Sequence, residues 1–166
     1  MITKDNNLKV MEFFFKYPTK TFHLRELARL SGLSSPGIIK IIKRLKSEKL
    51  LTSRKTKVIE EIKPSFDGNF LFIKRLYNIY SVKYSGLLEF LNKAYEFPKC
   101  IILFGSYSNG TDIEKSDIDI AVLSSAKKDL DLSKFENKLA RKINIHSIDL
   151  SKTSIEFKNS LANGLV

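Results

Sequence analysis

Apolar residues recur at helical spacing through the N-terminal part of the chain. In NNLKVMEFFFKYP, Leu8, Met11, Phe14 and Phe15 share one face, and Pro18 ends the run. In TKTFHLRELARLSGL, Leu24, Leu27, Ala28 and Leu30 form an apolar face, with Gly32 placed to cap the C-terminus. In SSPGIIKIIKRLKSEKLL, Ser34 or Ser35 can cap a helix whose first turn holds Pro36, and Ile38, Ile41, Ile42 and Leu45 form its buried stripe. The short runs LLTSRK and KVIEEIK then read as a hairpin.

The pattern changes after residue 65. NFLFIKRLYNIYSVKYSGLLEFLNKAYEF reads as one long helix, or as two broken near Gly86. Ile73, Tyr77, Tyr80, Tyr84, Leu87 and Leu91 alternate steps of four and three, the spacing of a packing seam. Phe72, Leu76, Ile79 and Phe90 widen it, and a helix that is apolar most of the way round needs two partners. Core packing within the chain and a seam against a second subunit both satisfy this.

From Pro98 onward the order is strand, helix, strand. CIILF is a short apolar run ending at Gly105-Ser106. In SDIDIAVLS, Ile118, Ile120 and Val122 face one way, and Asp117, Asp119 and Ala121 the other. LDLSKFENKLARK reads as a helix with Leu132, Phe135, Leu139 and Ile143 inward. INIHSIDL reads as a further strand, with Ile143, Ile145 and Ser147 on the side of Asp149 and His146 beside the acidic pair. The fold class is therefore α+β: a helix-rich N-terminal part with a hairpin, a helical connector, and a small mixed sheet flanked by helices. The expected divisions are 1–65, 66–97 and 98–166.

Composition narrows the function classes. Hydrophobic residues make up 43% of the 166 positions, which suits a folded protein. No apolar run approaches the ~20 residues of a membrane span, and MITKDNNLKV lacks a secretory pattern. A soluble cytoplasmic protein without membrane contact is expected. Cys100 is the only cysteine, so it forms no internal disulfide and reads as a small buried hydrophobe.

Charge is unevenly spread. Residues 1–65 hold 15 Lys/Arg against 6 Asp/Glu, which accounts for most of the net +11. That asymmetry suggests a nucleic-acid-binding part joined to something else. The helix, helix, short turn, basic helix and hairpin make the outline of a winged helix-turn-helix. FHLRELARLSGLSSPGIIKIIKRLKSEKLLTSR also resembles the DNA-binding part of archaeal and bacterial winged-helix regulators, with Lys49 where those carry glycine before the wing. Ser34, Ser35 and Lys40 are candidates for the groove side. Lys43, Arg44, Arg54, Lys55 and Lys57 are candidates for phosphate contacts. Winged helices also serve as protein-interaction modules, and that alternative stays open here.

The acidic residues raise a different chemistry. Carboxylates at Asp117, Asp119 and Asp149 on neighbouring strands repel one another unless a hard divalent cation lies between them. The Gly105-Ser106 turn suits a phosphate, because glycine lets backbone approach it and serine offers a hydroxyl. Gly105-Ser106, ten intervening residues and Asp117-Ile118-Asp119 resemble the G-S-x10-D-x-D signature of the DNA polymerase β-like nucleotidyltransferase superfamily, most closely its minimal nucleotidyltransferases. The resemblance covers about residues 98–166.

The resemblance implies specific roles. Asp117 and Asp119 would hold two Mg²⁺ ions; Asp149 would complete the metal site and help deprotonate the acceptor; Gly105 and Ser106 would bind the β- and γ-phosphates. The reaction would move a nucleoside monophosphate, AMP by expectation, from an NTP such as ATP to an acceptor, releasing pyrophosphate. Asn109 stands where family members often carry arginine, and the chain ends soon after SLANGLV. A winged helix joined to such a domain resembles mostly archaeal proteins described as transcriptional regulators or nucleotidyltransferases. Relatives of the catalytic domain act as antitoxins on HEPN-type toxins, and others modify small molecules. DNA, an NTP, an acceptor (protein, RNA or small molecule), a HEPN-type toxin and a second copy of the chain are thus candidate partners. A rival reading keeps the motifs without transfer: a DNA-binding regulator or antitoxin that senses nucleotide or contacts protein through this domain.

Overall fold

The computed structural model describes residues 5–56, 59–149 and 151–166. Asp5 caps α1 (Asn6–Lys16) by accepting from the Asn7 N–H, and Val10, Met11, Phe14 and Phe15 are buried along the helix. A two-residue strand follows, β1 (Phe22–His23), where the sequence reads as the lead-in to a helix. The reason is packing: Phe22 is buried edge-on against Phe14, and it pairs with Ile62 of the hairpin. The helix then begins late, as α2 (Leu24–Ser31), and ends at Gly32, whose φ of 67° is the left-handed C-cap expected of it. Leu30 is largely exposed, so the apolar face of α2 is narrower than its spacing suggests.

Ser34 caps α3 (Ser35–Ser47): its hydroxyl accepts from the Gly37 N–H, and Pro36 sits in the first turn. Ile38, Ile42 and Leu45 are buried, Ile41 is half-buried, and Ile39 faces outward. At Lys49, where the resemblance led glycine to be expected, the backbone is left-handed (φ 58°), a conformation that costs a non-glycine residue roughly 1–2 kcal/mol. The hairpin is β2 (Leu51–Lys55) and β3 (Glu60–Pro64), and the sheet order is β1-β3-β2. Three helices with this three-stranded antiparallel sheet form a winged helix-turn-helix.

Next comes α4 (Gly68–Ser85), which ends at Gly86 with φ 86°, and then α5 (Leu87–Ala94). Of the two readings of the connector, one long helix or two broken near Gly86, the structure shows the second. The face of α4 that turns inward is not the one its apolar spacing suggests. Phe70, Lys74, Asn78, Val82 and Ser85 are buried, while Phe72, Leu76 and Tyr84 are exposed. By contacts the chain divides within α4 into two compact units, the first ending at Ile73 and the second beginning at Lys74.

The second unit is built on β4 (Ile101–Phe104), β5 (Ile118–Leu123) and β6 (Ile143–Ile148), in that order across the sheet. β4 runs antiparallel to β5, and β6 parallel to it, giving a mixed sheet. One face buries Ile118, Ile120, Val122 and Ile143 against Leu87 and Leu91 of α5 and against Phe135 and Leu139 of α7 (Ser133–Leu139). The other face carries Ile102, Phe104, Ala121 and Ile148 under Leu161 of α8 (Ile155–Ala162). Beyond α8, Leu165 pairs with Leu103 through two backbone hydrogen bonds of 2.8 Å, so the C-terminal residues extend the sheet at β4. Among the described residues, no helix is long and apolar enough to cross a membrane.

Candidate active site

The chain leaves β4 at Phe104, which pairs with Asp119, and turns at Gly105 into α6 (Gly105–Asn109). Gly105 has φ 75°, and a Cβ there would lie 2.9 Å from Asp119 Oδ2. Both facts require glycine, and the second shows the turn's backbone lying directly on the carboxylate. The Ser106 hydroxyl makes no hydrogen bond to the described residues, whereas the Ser108 hydroxyl is tied to the Gly105 carbonyl at 2.8 Å. Asn109 is exposed.

Asp117 directly precedes β5 and is exposed; Asp119 lies within the strand and is half-buried. Ile118 between them is fully buried on the other face, so alternation puts both carboxylates on one face, as expected. Between them stands a residue the sequence reading passed over. The Asn144 amide donates to Asp117 Oδ2 at 3.1 Å and to Asp119 Oδ1 at 3.3 Å. The parallel register that pairs Asn144 with Asp119 brings it there. Alternation along INIHSIDL identifies the side of β6 that Asn144 occupies, but only strand order and register show which residue faces the carboxylates.

His146 is on the same face, two residues on. Its Nε2 lies 3.5 Å from Asp119 Oδ1, and its ring meets Phe104 edge-on, with Phe157 beyond. This agrees with its expected place beside the acidic pair.

Asp149 does not join the site. It lies just past the end of β6, five residues beyond Asn144, roughly 16 Å along the chain at about 3.3 Å per residue. Its Oδ1 instead accepts from the Ser151 hydroxyl at 2.6 Å and the Ser151 N–H at 3.0 Å, closing the turn before α8. Those bonds, the hydroxyl first, hold its carboxyl below the usual range. Asp149, expected as a third ligand, thus lies apart from the pair, and the register of β6 turns Asn144 toward Asp117 and Asp119 instead. Among the described residues, no three His, Cys, Asp or Glu side chains are grouped to hold a metal.

The loop between α6 and β5 is fixed from below. Asp112, fully buried, pairs with Lys74, which also donates to its backbone carbonyl at 2.8 Å. Asn78 donates to Asp112 Oδ1 at 2.7 Å and to the Tyr107 carbonyl at 2.9 Å, and Arg141 approaches Oδ2 at 3.5 Å. Burial pushes the Lys74 ammonium down from its ordinary value, and Asp112 opposes that shift. Burial likewise pushes the Tyr107 phenol up. The signal was a lysine and an asparagine at helical spacing within an apolar run. A cleft of about 500 Å³ opens beside Asp117, bordered by Lys115, Asn137, Arg141 and Lys142.

In the winged helix, Ser34, Ser35, Lys40, Lys43, Arg44, Arg54 and Lys55 are all exposed. The Ser34 hydroxyl is engaged as the cap of α3, and Arg44 pairs with Glu48 at 2.8 Å. Lys40 and Lys43 extend from α3, and Arg54 and Lys55 from β2. Lys57 lies outside the described residues. Lys46 instead ties α3 to the hairpin, bonding Ser53 and, at 3.1 Å, Glu60.

Residues 87–165 match the family described as Polymerase beta, Nucleotidyltransferase. No curated protein matches the chain. A solved structure similar to part of it is the homodimeric winged helix-turn-helix DNA-binding domain of a possible ArsR-family transcriptional regulator from Mycobacterium bovis. The likeness has 15% sequence identity and a TM-score of 0.41, and spans 54% of this chain and 76% of that one.

Proposed function

We propose, from a nucleotidyltransferase-family domain at residues 87–165, that the protein transfers a nucleoside monophosphate, AMP in the first instance, from an NTP to an acceptor hydroxyl. The observation that carries this reading is the convergence of Asp117 and Asp119 on one donor nitrogen beside the Gly105 turn. A point where two carboxylate oxygens meet is where a cation is favoured, and two carboxylates with phosphate oxygens make a donor set suited to Mg²⁺. Asp117 and Asp119 would hold it, and when bound it would polarise the phosphoryl oxygens.

The chain's own groups divide the remaining work. Gly105 keeps the turn clear of a side chain, so a phosphate can approach the backbone. The Ser106 hydroxyl is available to a phosphate oxygen. Asn144 holds the carboxylates in place. In the transfer, the acceptor oxygen bonds to the α-phosphorus and the bond from that phosphorus to the bridging oxygen of the β-phosphate breaks. Pyrophosphate departs, and the hydroxyl proton is released to solvent beside the exposed Asp117. The test is pyrophosphate release from ATP with Mg²⁺ and cell extract. Wild type should release it, and Asp119→Ala should reduce the rate at least 100-fold while melting within a few degrees of wild type. Equal rates would overturn the reading.

The winged helix would bind duplex DNA, with Lys40 and Lys43 on α3 and Arg54 and Lys55 on the wing contacting phosphates. A second reading, a DNA-binding regulator that senses nucleotide without transferring it, is favoured by one observation: Asp149 is far from the pair. Nucleotide binding without pyrophosphate release would select it.

A further inference from the structure

We infer that this site takes one divalent cation rather than two, and that Asn144 sets that number. The inference rests on the reading of Asp117 and Asp119 as the cation-holding pair. Among the described residues, Asp117, Asp119, Asn144 and His146 meet at this end of the sheet face. Farther along, the face is closed by Ala121 and Ile148 under α8. The β6 residue in register with Asp119 is the one that hydrogen-bonds both carboxylates among the described residues, and it is an amide. Asp149 is too far along the strand, and its carboxylate is engaged by Ser151.

The ligand set carries the consequence. Two carboxylates supply protein ligands for one divalent ion, and a second would find an amide where a third carboxylate would have to stand. The Asn144 amide already bridges the pair through N–H donors, so it shields the two like charges without any metal. The pull of the pair on a free cation is thus weakened. Nucleotide phosphates bring further oxygen ligands, so cation and nucleotide bind together. The site is specific for a single metal–nucleotide complex, with weak affinity for the free ion.

The test uses Mn²⁺, first alone and then with a non-hydrolysable ATP analogue on both sides of a dialysis membrane. Wild type should retain one Mn²⁺ per chain with the analogue and bind free Mn²⁺ only weakly. Asn144→Asp supplies the third carboxylate and should bind free Mn²⁺ at least tenfold tighter, with melting in EDTA confirming that it folds. Two Mn²⁺ per wild-type chain would overturn the inference while leaving the transfer reading in place. So would unchanged affinity in folded Asn144→Asp. Absence of both nucleotide and Mn²⁺ binding in wild type would remove the inference and the transfer reading together. The wild-type stoichiometry decides the matter even where the variant fails to fold.

Discussion

Asp112 holds its loop against two cations, Lys74 and Arg141, in the interior of the second unit. Removing one member of a buried charge cluster leaves the others uncompensated, at a cost of about 3–5 kcal/mol. Asp112→Ala should lower the urea midpoint by an amount corresponding to that loss; a shift below ~1 kcal/mol would show the cluster to be dispensable. Gly105→Ala has a different expected effect. The left-handed backbone and the 2.9 Å approach to Asp119 mean that a methyl group displaces the carboxylate. Nucleotide binding measured by calorimetry should fall at least tenfold, with a smaller loss of thermal stability. Glu60 gives a pH signature. The Ser53 hydroxyl and then Lys46 hold its carboxyl below the ordinary value of 4.5. A depressed folded pKa contributes stability above 4.5, and that contribution is lost as pH falls through the folded value. Glu60→Gln should therefore flatten the acid limb of the stability curve below pH ~4.5 and lower stability at neutral pH. At this scale the sequence exposed Gly105, Asp117 and Asp119, because a local turn and strand alternation place them. Asn144 and the Lys74–Asp112 pair depend on contacts between distant segments, which no local pattern encodes.

Among the elements, α3 was legible to its cap: Ser34, Pro36 and the isoleucine spacing fix its start and inward face. The break at Gly86 was legible for the same reason, a glycine whose left-handed backbone ends a helix. The burial face of α4 was not. Counting apolar residues favoured Ile73, Tyr77, Tyr80 and Tyr84, yet the helix turns Lys74 and Asn78 inward because Asp112 and the Tyr107 carbonyl wait there to satisfy them. α8 went unread because its inward apolar residues, Phe157 and Leu161, are too few to show a period until the sheet face they cover is known. The exposed lysines of α3 lead to a quantitative expectation. If Lys40 and Lys43 each meet a phosphate, the slope of log K against log salt should lose roughly one unit for each alanine substitution, with little change in sequence preference. Binding curves at several salt concentrations measure this, and unchanged slopes would remove α3 from the interface.

On the scale of the molecule, charge and chemistry are allotted to different stretches of one chain. The excess of Lys and Arg lies in residues 1–65, and the acidic pair lies within the nucleotidyltransferase-family stretch at 87–165. DNA affinity should accordingly be salt-sensitive and unaffected by Asp119→Ala, and nucleotide transfer should be unaffected by Lys40→Ala. The central claim is transfer of the α-phosphoryl group by the Asp117–Asp119 site. It is tested most directly by incubating the protein in native cell extract with Mg²⁺ and ATP labelled at either the α- or the γ-phosphate. The account predicts an acceptor that takes up label from α-labelled ATP, none from γ-labelled ATP, and none from either with Asp119→Ala. Label arriving from the γ-phosphate, or α-label undiminished in Asp119→Ala, would contradict it.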